Sequence, residues 1–355
     1  MRRHSIIGRF GISDRAAIAV IEPASQQTTL QYVLANRRID YNIGGTVERL
    51  QRIGISPSET AFDLLLVAAT VYCADTRINR RSESQDSWTR EIDIYLPVLD
   101  PARWSLLPTH LSQMLEFLTG DKWRFFFRPR PNGFSSGIRR SRSRAANLPN
   151  SVCLFSGGLD SFIGAIDLLE QGVNPLLVSH SWVANASGHQ TLCERALRSH
   201  YGAARVSRMK SSIGFSQDAI PGAGAENTER SRSFLFFALA ALAASGLPQT
   251  NVPIYVPENG LISLNIPLDP LRLGSLSTRT THPYFMSQFQ KLLEELRIPA
   301  TLQNPYRYQT KGEMVCGCRN QAFLASNIDK TMSCSSPNKG RFLGESPGHC
   351  GYCLP

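Results

Sequence analysis

One short segment constrains the fold of this chain more than any other. It reads Ser156-Gly157-Gly158-Leu159-Asp160-Ser161, after an apolar strand predicted over 151–155 and before an amphipathic helix predicted over 161–171. Glycines let a phosphate oxygen approach the backbone, and the free N–H groups at a helix start attract anions. The segment lacks the Gly-Lys-Ser/Thr ending of a Walker A loop. Strand, loop and helix together therefore predict a different phosphate-binding turn, at the carboxyl edge of a parallel sheet.

The sequence around this turn alternates between strand and helix patterns. Alternation of this kind predicts an α/β fold, with a doubly wound parallel sheet covered by helices on both faces. We assign it to residues 150–330. Further strands are predicted over 174–179, 204–209 and 252–256, and further helices over 191–200 and 230–245.

Residues 1–127 predict a separate α+β domain without a catalytic constellation. Ser56, Pro57 and Glu59 predict a helix start with a capping box, and the helix runs to about Arg77. A second helix over 108–118 ends at Gly120. Strands are predicted over 17–22, 28–33, 91–96 and 123–127.

Residues 128–149 predict a basic linker, because proline, glycine and arginine replace any regular pattern. Arginine and serine alternate over 139–144. A solvated connection is one interpretation of this run, and an arm that contacts nucleic acid phosphates is the other.

Composition excludes several classes of protein. The 355 residues are 42% hydrophobic and 19% charged, as in an ordinary globular chain, and the formal charge of +10 suits a polyanionic partner such as ATP or nucleic acid. No apolar run reaches the roughly 18 residues of a membrane span, so no membrane partner is expected. The N-terminus lacks the apolar core of a signal peptide, which places the chain in the cytoplasm.

The eight cysteines fall into two groups. Cys73, Cys153 and Cys193 lie among apolar neighbours and are predicted to be buried. The other five lie within the last forty residues, namely Cys316, Cys318, Cys334, Cys350 and Cys353. Such clustering in a cytosolic chain favours metal or thiol chemistry over disulfides, and residues 331–355 are predicted to form a small zinc knuckle.

The loop at 156–161 resembles the signature of the PP-loop ATP pyrophosphatases. The resemblance implies that Ser156, Gly157, Gly158, Leu159, Asp160 and Ser161 hold the pyrophosphate of ATP. Asp160 repels bare phosphate, so we expect it to hold a cation such as Mg²⁺ or to orient the loop. The expected catalytic residues are Asp160, Ser161 and Lys311.

The C-terminal residues restrict this resemblance to one branch of the PP-loop enzymes. Thr331-Met332-Ser333-Cys334 and the final Cys350-Gly351-Tyr352-Cys353, with Lys311-Gly312-Glu313 before them, are similar to the QueC-like branch, the 7-cyano-7-deazaguanine synthases. The resemblance implies a Zn²⁺ site on Cys334, Cys350 and Cys353, with a fourth cysteine where residue 356 would stand. Either the sequence ends inside the site, which we favour, or Cys316 or Cys318 supplies the fourth ligand.

Other segments depart from those synthases. The long N-terminal part, with Trp88, Leu118-Thr119-Gly120-Asp121 and Trp123, is similar to the QueC-like protein of the Qat anti-phage defence cassettes, as are residues 258–265 and 277–283. This similarity implies a role in phage defence beside other cassette proteins, with a substrate that need not be that of the synthases.

Polar residues on loops beyond the fourth strand are candidates for substrate binding. They are Glu258, Asn259, Asn265, Arg279 and His282. The structural alternatives are a turn at Asn259-Gly260 and a helix start at His282-Pro283. Arg230 and Arg232 stand at a helix start, where a cation opposes the helix dipole, so a phosphate contact or a surface salt bridge is expected there.

Three functions remain open on the sequence. The leading one is an AMP-forming ligase that splits ATP to AMP and pyrophosphate and activates a carboxylate or carbonyl of a deazapurine-like or macromolecular acceptor. The second is a tRNA-thiolating enzyme that uses Cys316 or Cys318 for sulfur. The third is a non-catalytic ATP-binding module that assembles a defence complex.

Overall fold

The computed structural model describes residues 2–139, 148–181, 184–226, 228–264 and 279–333. Within them the chain forms two sheets in which every strand pairing is parallel. The first sheet has the order β2-β1-β3-β4. Its strands are β1 (His4–Arg9), β2 (Gln26–Gln31), β3 (Glu91–Val98) and β4 (Lys122–Pro129).

The second sheet carries the strands predicted around the glycine loop. Its order is β7-β6-β5-β8-β9, so the chain moves outward from β5 through β6 to β7 and then crosses back to the other side of β5. This reversal creates a crevice between the carboxyl ends of β5 and β8, where doubly wound sheets bind ligands. The strands are β5 (Ser151–Leu154), β6 (Pro175–His180), β7 (Ser207–Ser211), β8 (Val252–Tyr255) and β9 (Ala300–Gln303).

Twelve α-helices connect these strands in the described parts of the chain. Those before β5 are α1 (Ile43–Arg52), α2 (Glu59–Arg77), α3 (Arg80–Glu83), α4 (Pro101–Trp104) and α5 (Pro108–Thr119). Those after it are α6 (Leu159–Glu170), α7 (Ala184–Tyr201), α8 (Arg232–Ala244), α9 (Gly260–Leu264), α10 (Pro283–Glu295), α11 (Lys311–Gly317) and α12 (Gln321–Ala325).

The two sheets share one apolar core. Phe62 of α2 and Phe237 of α8 belong to the same buried cluster as Ile94 of the first sheet and Ile254 of the second. Helices α1, α2, α5, α8 and α10 all contribute to this cluster, so they form the layer between the sheets. Helices α6, α7, α11 and α12 form a second cluster on the opposite face of the second sheet. The predicted α/β fold with helices on both faces of a parallel sheet is therefore confirmed for this sheet.

The α+β prediction for residues 1–127 was wrong, because all four strands there are parallel. The strand predicted over 17–22 is absent, and β1 lies earlier, at His4–Arg9. The sequence hid β1 because it opens on polar residues. His4 and Ser5 are nevertheless fully buried, and the His4 ring contacts the Glu83 carboxylate at 3.0 Å. Residues 91–96 were predicted to be half-buried, whereas seven of the eight residues of β3 are buried.

The predicted start of α2 was displaced by two residues. Ser58, and not Ser56, is the N-cap, and its hydroxyl accepts a hydrogen bond from the Ala61 amide at 3.2 Å. Glu59 closes no capping box. Its carboxylate instead pairs with Arg130 and accepts a hydrogen bond from the Ser136 hydroxyl. The helix ends at Arg77 as predicted.

The beginning of the predicted linker is held by buried carboxylates. Arg128 pairs with Asp14 at 2.6 Å, and Arg130 pairs with Asp63 at 2.6 Å. Burial raises the pKa of Asp63 to about 6, although Arg130 favours its ionised form. Residues 140–147, which carry most of the Arg-Ser run, lie outside the described residues, so the predicted nucleic acid arm stays a prediction. None of the described helices combines the length and the hydropathy that crossing a bilayer requires.

Candidate functional site

The glycine loop and the loop after β8 meet at the crevice between β5 and β8. The glycine loop leaves β5 at Phe155, whose amide donates to Val178 of the neighbouring β6 at 2.7 Å. The loop that leaves β8 contains Glu258 and Asn259. The predicted phosphate loop and two of the five predicted substrate residues therefore lie together at this edge of the sheet.

Gly157 is required by both conformation and space. Its φ of +82° lies in the left-handed region that favours glycine. A Cβ atom there would also stand 2.9 Å from the backbone nitrogen of Gln190. The side chain of Gln190 fastens the loop from α7, since its Nε2 donates to the Ser156 carbonyl at 3.3 Å and to the His180 carbonyl at 3.4 Å. Any larger residue at position 157 would disturb this packing.

Gly158 is the N-cap of α6 and contributes no side-chain cap. Its amide donates to the Ser156 hydroxyl at 3.3 Å, and its carbonyl accepts from the Ser161 hydroxyl at 2.9 Å. The two serine oxygens are 3.2 Å apart. Both serines were expected to donate to phosphate, and in this structure they brace the loop. Ser156 is exposed and Ser161 is buried, so only the Ser156 hydroxyl is open to solvent.

Asp160 connects three segments of the site. Its Oδ2 accepts hydrogen bonds from the Asn259 backbone amide at 3.1 Å and from the Asn259 side-chain amide at 2.7 Å. Its Oδ1 lies 3.3 Å from the ammonium of Lys311, which opens α11. Asn259 itself is buried, so it holds Asp160 and does not face a substrate. The structure thus brings Asp160 and Lys311, two of the predicted catalytic residues, into contact.

Glu258 supplies a second carboxyl group beside this cluster. The Thr281 hydroxyl donates to its Oε2, and the Asn304 side-chain amide donates to its backbone carbonyl at 2.9 Å. Burial raises the pKa of Glu258 to about 7, and the negative charge of Asp160 acts in the same direction, against the Thr281 hydrogen bond and Lys311. A carboxyl group with such a pKa can release and take up a proton near neutral pH.

The two arginines predicted at the start of α8 have different surroundings. Arg232 reaches the carboxyl end of β6, where its guanidinium donates to the His180 carbonyl at 3.3 Å, and it also pairs with Glu229 at 3.5 Å. Arg230 points to the N-terminal region, donates to the Thr119 carbonyl at 3.0 Å and stacks 4.1 Å from the Trp88 ring centre. Of the two, Arg232 reaches the end of β6, the strand that pairs with β5.

Arg279 and His282 also serve the contact with the N-terminal region. Arg279 donates to the Phe117 carbonyl at the end of α5, and its guanidinium lies 4.5 Å from the Phe117 ring centre. His282 is the N-cap of α10, where its Nδ1 accepts from the Tyr284 amide at 3.2 Å. The helix-start alternative is therefore the observed one. A guanidinium at the carboxyl end of α5 is favourable because the helix dipole is negative there.

Two residues that contact the loop, Ser333 and Gln190, were not predicted to belong to the site. The Leu159 amide donates to the Ser333 hydroxyl at 2.9 Å, although Ser333 lies 174 residues further along the chain. Ser333 belongs to the Thr331–Cys334 motif, and that motif was the available signal. Gln190 belongs to no motif that could have predicted its contact with the loop. Its Oε1 is buried and has no hydrogen-bond partner among the described residues.

The predicted metal ligands cannot be placed together. Cys334, Cys350 and Cys353 lie outside the described residues, as does Asn265. Cys316 is exposed, and Cys318 is buried, which raises the pKa of the Cys318 thiol to about 11. The described part of the chain contains no group of three or more His, Cys, Asp or Glu side chains that could hold a metal ion. The high pKa of Cys318 disfavours the thiolate that sulfur transfer needs.

Comparisons with known proteins do not identify a family. No protein-family model matches the chain, and a search of curated proteins finds no match. Among solved structures, a ketoreductase domain from the bacillaene assembly line aligns over 98% of this chain and 91% of its own length, with 11% identity and a TM-score of 0.26. A score this low carries no argument about fold or function, so the site has to be interpreted from its own chemistry.

Proposed function

We propose that the chain is an ATP pyrophosphatase that splits ATP to AMP and pyrophosphate and transfers the adenylyl group to an acceptor. One observation carries the proposal: Asp160, at the start of α6, is held by Asn259 from the loop after β8 and by Lys311 from α11. The glycine loop alone would fit many anions. A fixed carboxylate with an ammonium beside it, at the switch point of a doubly wound sheet, favours a nucleotide and its cation.

The phosphates of ATP fit the glycine loop for a physical reason. Gly157 and Gly158 leave the backbone of the loop uncovered by their own side chains, and α6 presents its N-terminal amides at the same place. Lys311 adds positive charge at Asp160, and Arg232 adds it at the carboxyl end of the neighbouring strand β6. Of the arginines predicted to contact phosphate, we therefore retain Arg232 and assign Arg230 to the contact with Trp88 and Thr119.

Asp160 is the residue that would hold Mg²⁺. Asn259 donates two hydrogen bonds to Oδ2 and so fixes the carboxylate. Oδ1 is left to a cation, which in this structure is the Lys311 ammonium. Mg²⁺ prefers carboxylate oxygens and is commonly shared with nucleotide phosphates. When bound, Mg²⁺ would neutralise the charge that develops on the departing pyrophosphate.

Glu258 gives the site a carboxyl group that can release or take up a proton near neutral pH. The acceptor proposed is a carboxylate or carbonyl of a deazapurine-like or macromolecular molecule, as the resemblance to the QueC-like branch implies. On the same resemblance we propose a role in anti-phage defence together with other cassette proteins, and a structural Zn²⁺ on the C-terminal cysteines.

The test is to incubate the purified chain with ATP and Mg²⁺, with and without the cassette proteins, and to quantify AMP and pyrophosphate. Asp160→Ala should abolish AMP formation without loss of the fold. Asn259→Ala removes the side-chain hydrogen bond to Asp160 and the one that Asn259 Oδ1 accepts from the Ile262 amide, while the backbone amide still binds Asp160. We expect this variant to lose roughly tenfold to a hundredfold in kcat. It should also raise the Mg²⁺ concentration needed for half-maximal rate.

The exposed Asp218 supplies a matched control, because Asp218→Ala removes a carboxylate far from the described contacts of the loop. This variant should keep the wild-type rate. ATP binding without AMP in any mixture would instead favour the assembly module. Full activity of Asp160→Ala would reject the assignment of the loop.

A further inference from the structure

A short segment crosses the glycine loop and occupies groups that a phosphate would use. We call residues 331–333 the strap. The Met332 amide donates to the Gly157 carbonyl at 2.9 Å, and the Ser333 hydroxyl accepts from the Leu159 amide at 2.9 Å. The strap therefore contacts both the turn and the first residue of α6.

Ser333 replaces the side-chain cap that α6 lacks. The N-cap of α6 is Gly158, which has no side chain to accept the first free amides of the helix. A Cβ on Gly158 would stand 3.2 Å from the Ser333 hydroxyl and 3.5 Å from the Met332 carbonyl. The face of Gly158 that a glycine leaves open is thus covered by two oxygen atoms of the strap. An oxygen that accepts from the first amide of a helix stands where a bound phosphate oxygen would stand.

Lys311 also occupies a position that part of a ligand would take, in its case at Asp160. Its ammonium lies 3.3 Å from Oδ1 and takes the position of a cation on that carboxylate. The chain thus satisfies its own site twice, with a hydroxyl at the helix amide and an ammonium at the carboxylate.

The two ends of the strap are held very differently. Just before it, the Lys330 carbonyl contacts the His189 ring nitrogen at 3.0 Å and the Cys193 thiol at 3.4 Å. Thr331 is buried, whereas Ser333 is exposed. One end of the strap is therefore anchored to α7, and the other end can leave the loop without uncovering a buried side chain.

We propose that the strap is an internal competitor for polyphosphate, in which the Ser333 hydroxyl gives up the Leu159 amide when a phosphate oxygen binds it. This inference rests on the proposed nucleotide site. It assigns to Ser333 a function opposite to that of a phosphate ligand, because a competitor weakens binding and a ligand strengthens it.

The experiment titrates the full chain with inorganic pyrophosphate and with ATP by calorimetry. The variants are Ser333→Ala, the hydroxyl-retaining Ser333→Thr, and Ser326→Ala as a matched control. Ser326 is an exposed serine whose hydroxyl bonds to α12 and to the adjacent Asn327. Loss of one competing hydrogen bond should make Ser333→Ala bind pyrophosphate roughly twofold to tenfold more tightly. Ser333→Thr and Ser326→Ala should bind like the wild type.

Amide hydrogen exchange gives a second measurement. Added pyrophosphate should increase exchange in the strap of the wild type, and Ser333→Ala should show the increased exchange before any ligand is added. Weaker or unchanged pyrophosphate binding by Ser333→Ala would overturn the competitor role while leaving the nucleotide site intact. If neither wild type nor Ser333→Ala binds pyrophosphate or ATP, the proposed function fails and the competitor role fails with it.

Discussion

The molecule holds aspartates at two places, and the contrast between them separates folding from function. The first place is a buried quartet formed by Asp75, Asp121, Arg80 and Arg90. Arg90 contacts both carboxylates at 2.7 Å, and Arg80 contacts Asp121 at 2.6 Å and Asp75 at 2.9 Å. The second place is Asp160, whose one ion pair among the described residues is with Lys311, a side chain that is 24% exposed.

The quartet pairs two carboxylates with two guanidinium groups, and among the described residues only its Arg80 Nε is buried without a hydrogen-bond partner. Its four side chains are almost completely buried, and the remaining oxygen of Asp75 accepts from the Ser231 amide at 2.7 Å, which links the quartet to the start of α8. Although burial of Asp121 favours its neutral form, Arg90 and Arg80 hold the pKa of that carboxyl below its usual value. No acceptor of Asp121 is left for a ligand, so the quartet holds the N-terminal region on the nucleotide half.

At the glycine loop the charges are balanced less completely. Glu258 keeps a pKa near 7 because burial and Asp160 outweigh Lys311 and Thr281. Gln190 retains an unpaired Oε1. Spare acceptors and a raised pKa in a crevice are typical of a functional site. Charged residues occur at both places, so their number does not identify a site; the glycine loop differs by a carboxyl group with a pKa near 7 beside a partly exposed ion pair.

The largest expected effect tests this contrast through stability. Asp121→Ala leaves two buried guanidinium groups to share the single carboxylate of Asp75 and should lower the free energy of unfolding by about 3–5 kcal/mol. Asp160→Ala releases a partly exposed lysine and leaves the two amides of Asn259 without their acceptor, so it should cost less, about 1–2 kcal/mol. Urea denaturation of both variants measures the difference. Equal losses of unfolding free energy would mean that both aspartates stabilise the fold to the same extent, which would contradict the contrast between the two places.

An effect of intermediate size, on stability and on the KM for ATP, distinguishes Arg230 from Arg232 at the start of α8. Burial, together with Arg80, lowers the pKa of Arg230 to about 10, and its side chain is fixed by Trp88 and Thr119. Arg230→Ala should therefore cost roughly 1–2 kcal/mol of stability and leave the KM for ATP unchanged. Arg232→Ala should do the reverse, with a raised KM and a stability within about 0.5 kcal/mol of the wild type. If Arg230→Ala alone raised the KM for ATP, Arg230 would belong to the site.

The smallest expected effect is a dependence of stability on pH at Glu258. Its pKa of about 7 in the folded chain exceeds the ordinary value of 4.5, so the folded state binds this proton more tightly than the unfolded state. The contribution to stability is complete below about pH 4.5 and is lost as the pH rises toward about 7. Glu258→Gln should match the wild type near pH 5 and exceed it near pH 8, by on the order of 1 kcal/mol. Asp218→Asn is the exposed control, and a Glu258→Gln variant with an unchanged pH profile would contradict the raised pKa.

Several elements of the fold could be predicted because their signals are local. Helix α5 ends where Gly120 takes a φ of +77°, as the glycine after the apolar run predicted. The strands around the glycine loop were found because continuous apolar runs mark buried parallel strands. The parallel pairing of the first sheet was missed, since strand direction is decided by crossovers and not by the residues of β1 to β4.

The site was predicted only in part for the same reason. The glycine loop, Asp160 and Lys311 could be named because each belongs to a short motif. The contacts of Asn259 and Ser333 could not be predicted, because Asn259 binds Asp160 from 99 residues away and Ser333 binds Leu159 from 174 residues away. Arg230 and Arg279 were given to phosphate or substrate because nothing in a single sequence shows that the carbonyls of α5 lie opposite them.

The sequence by itself determined that one loop of this protein has the backbone of an anion site. Two adjacent glycines between a buried strand and a helix allow a turn with positive φ and a close approach of an anion to the backbone, and this property is local to six residues. Only the tertiary structure decided which side chains reach the loop and which instead join the two halves of the molecule. Those choices depend on the packing of α2 against α8 and on where charges find partners, and both are set by residues that are far apart in the chain.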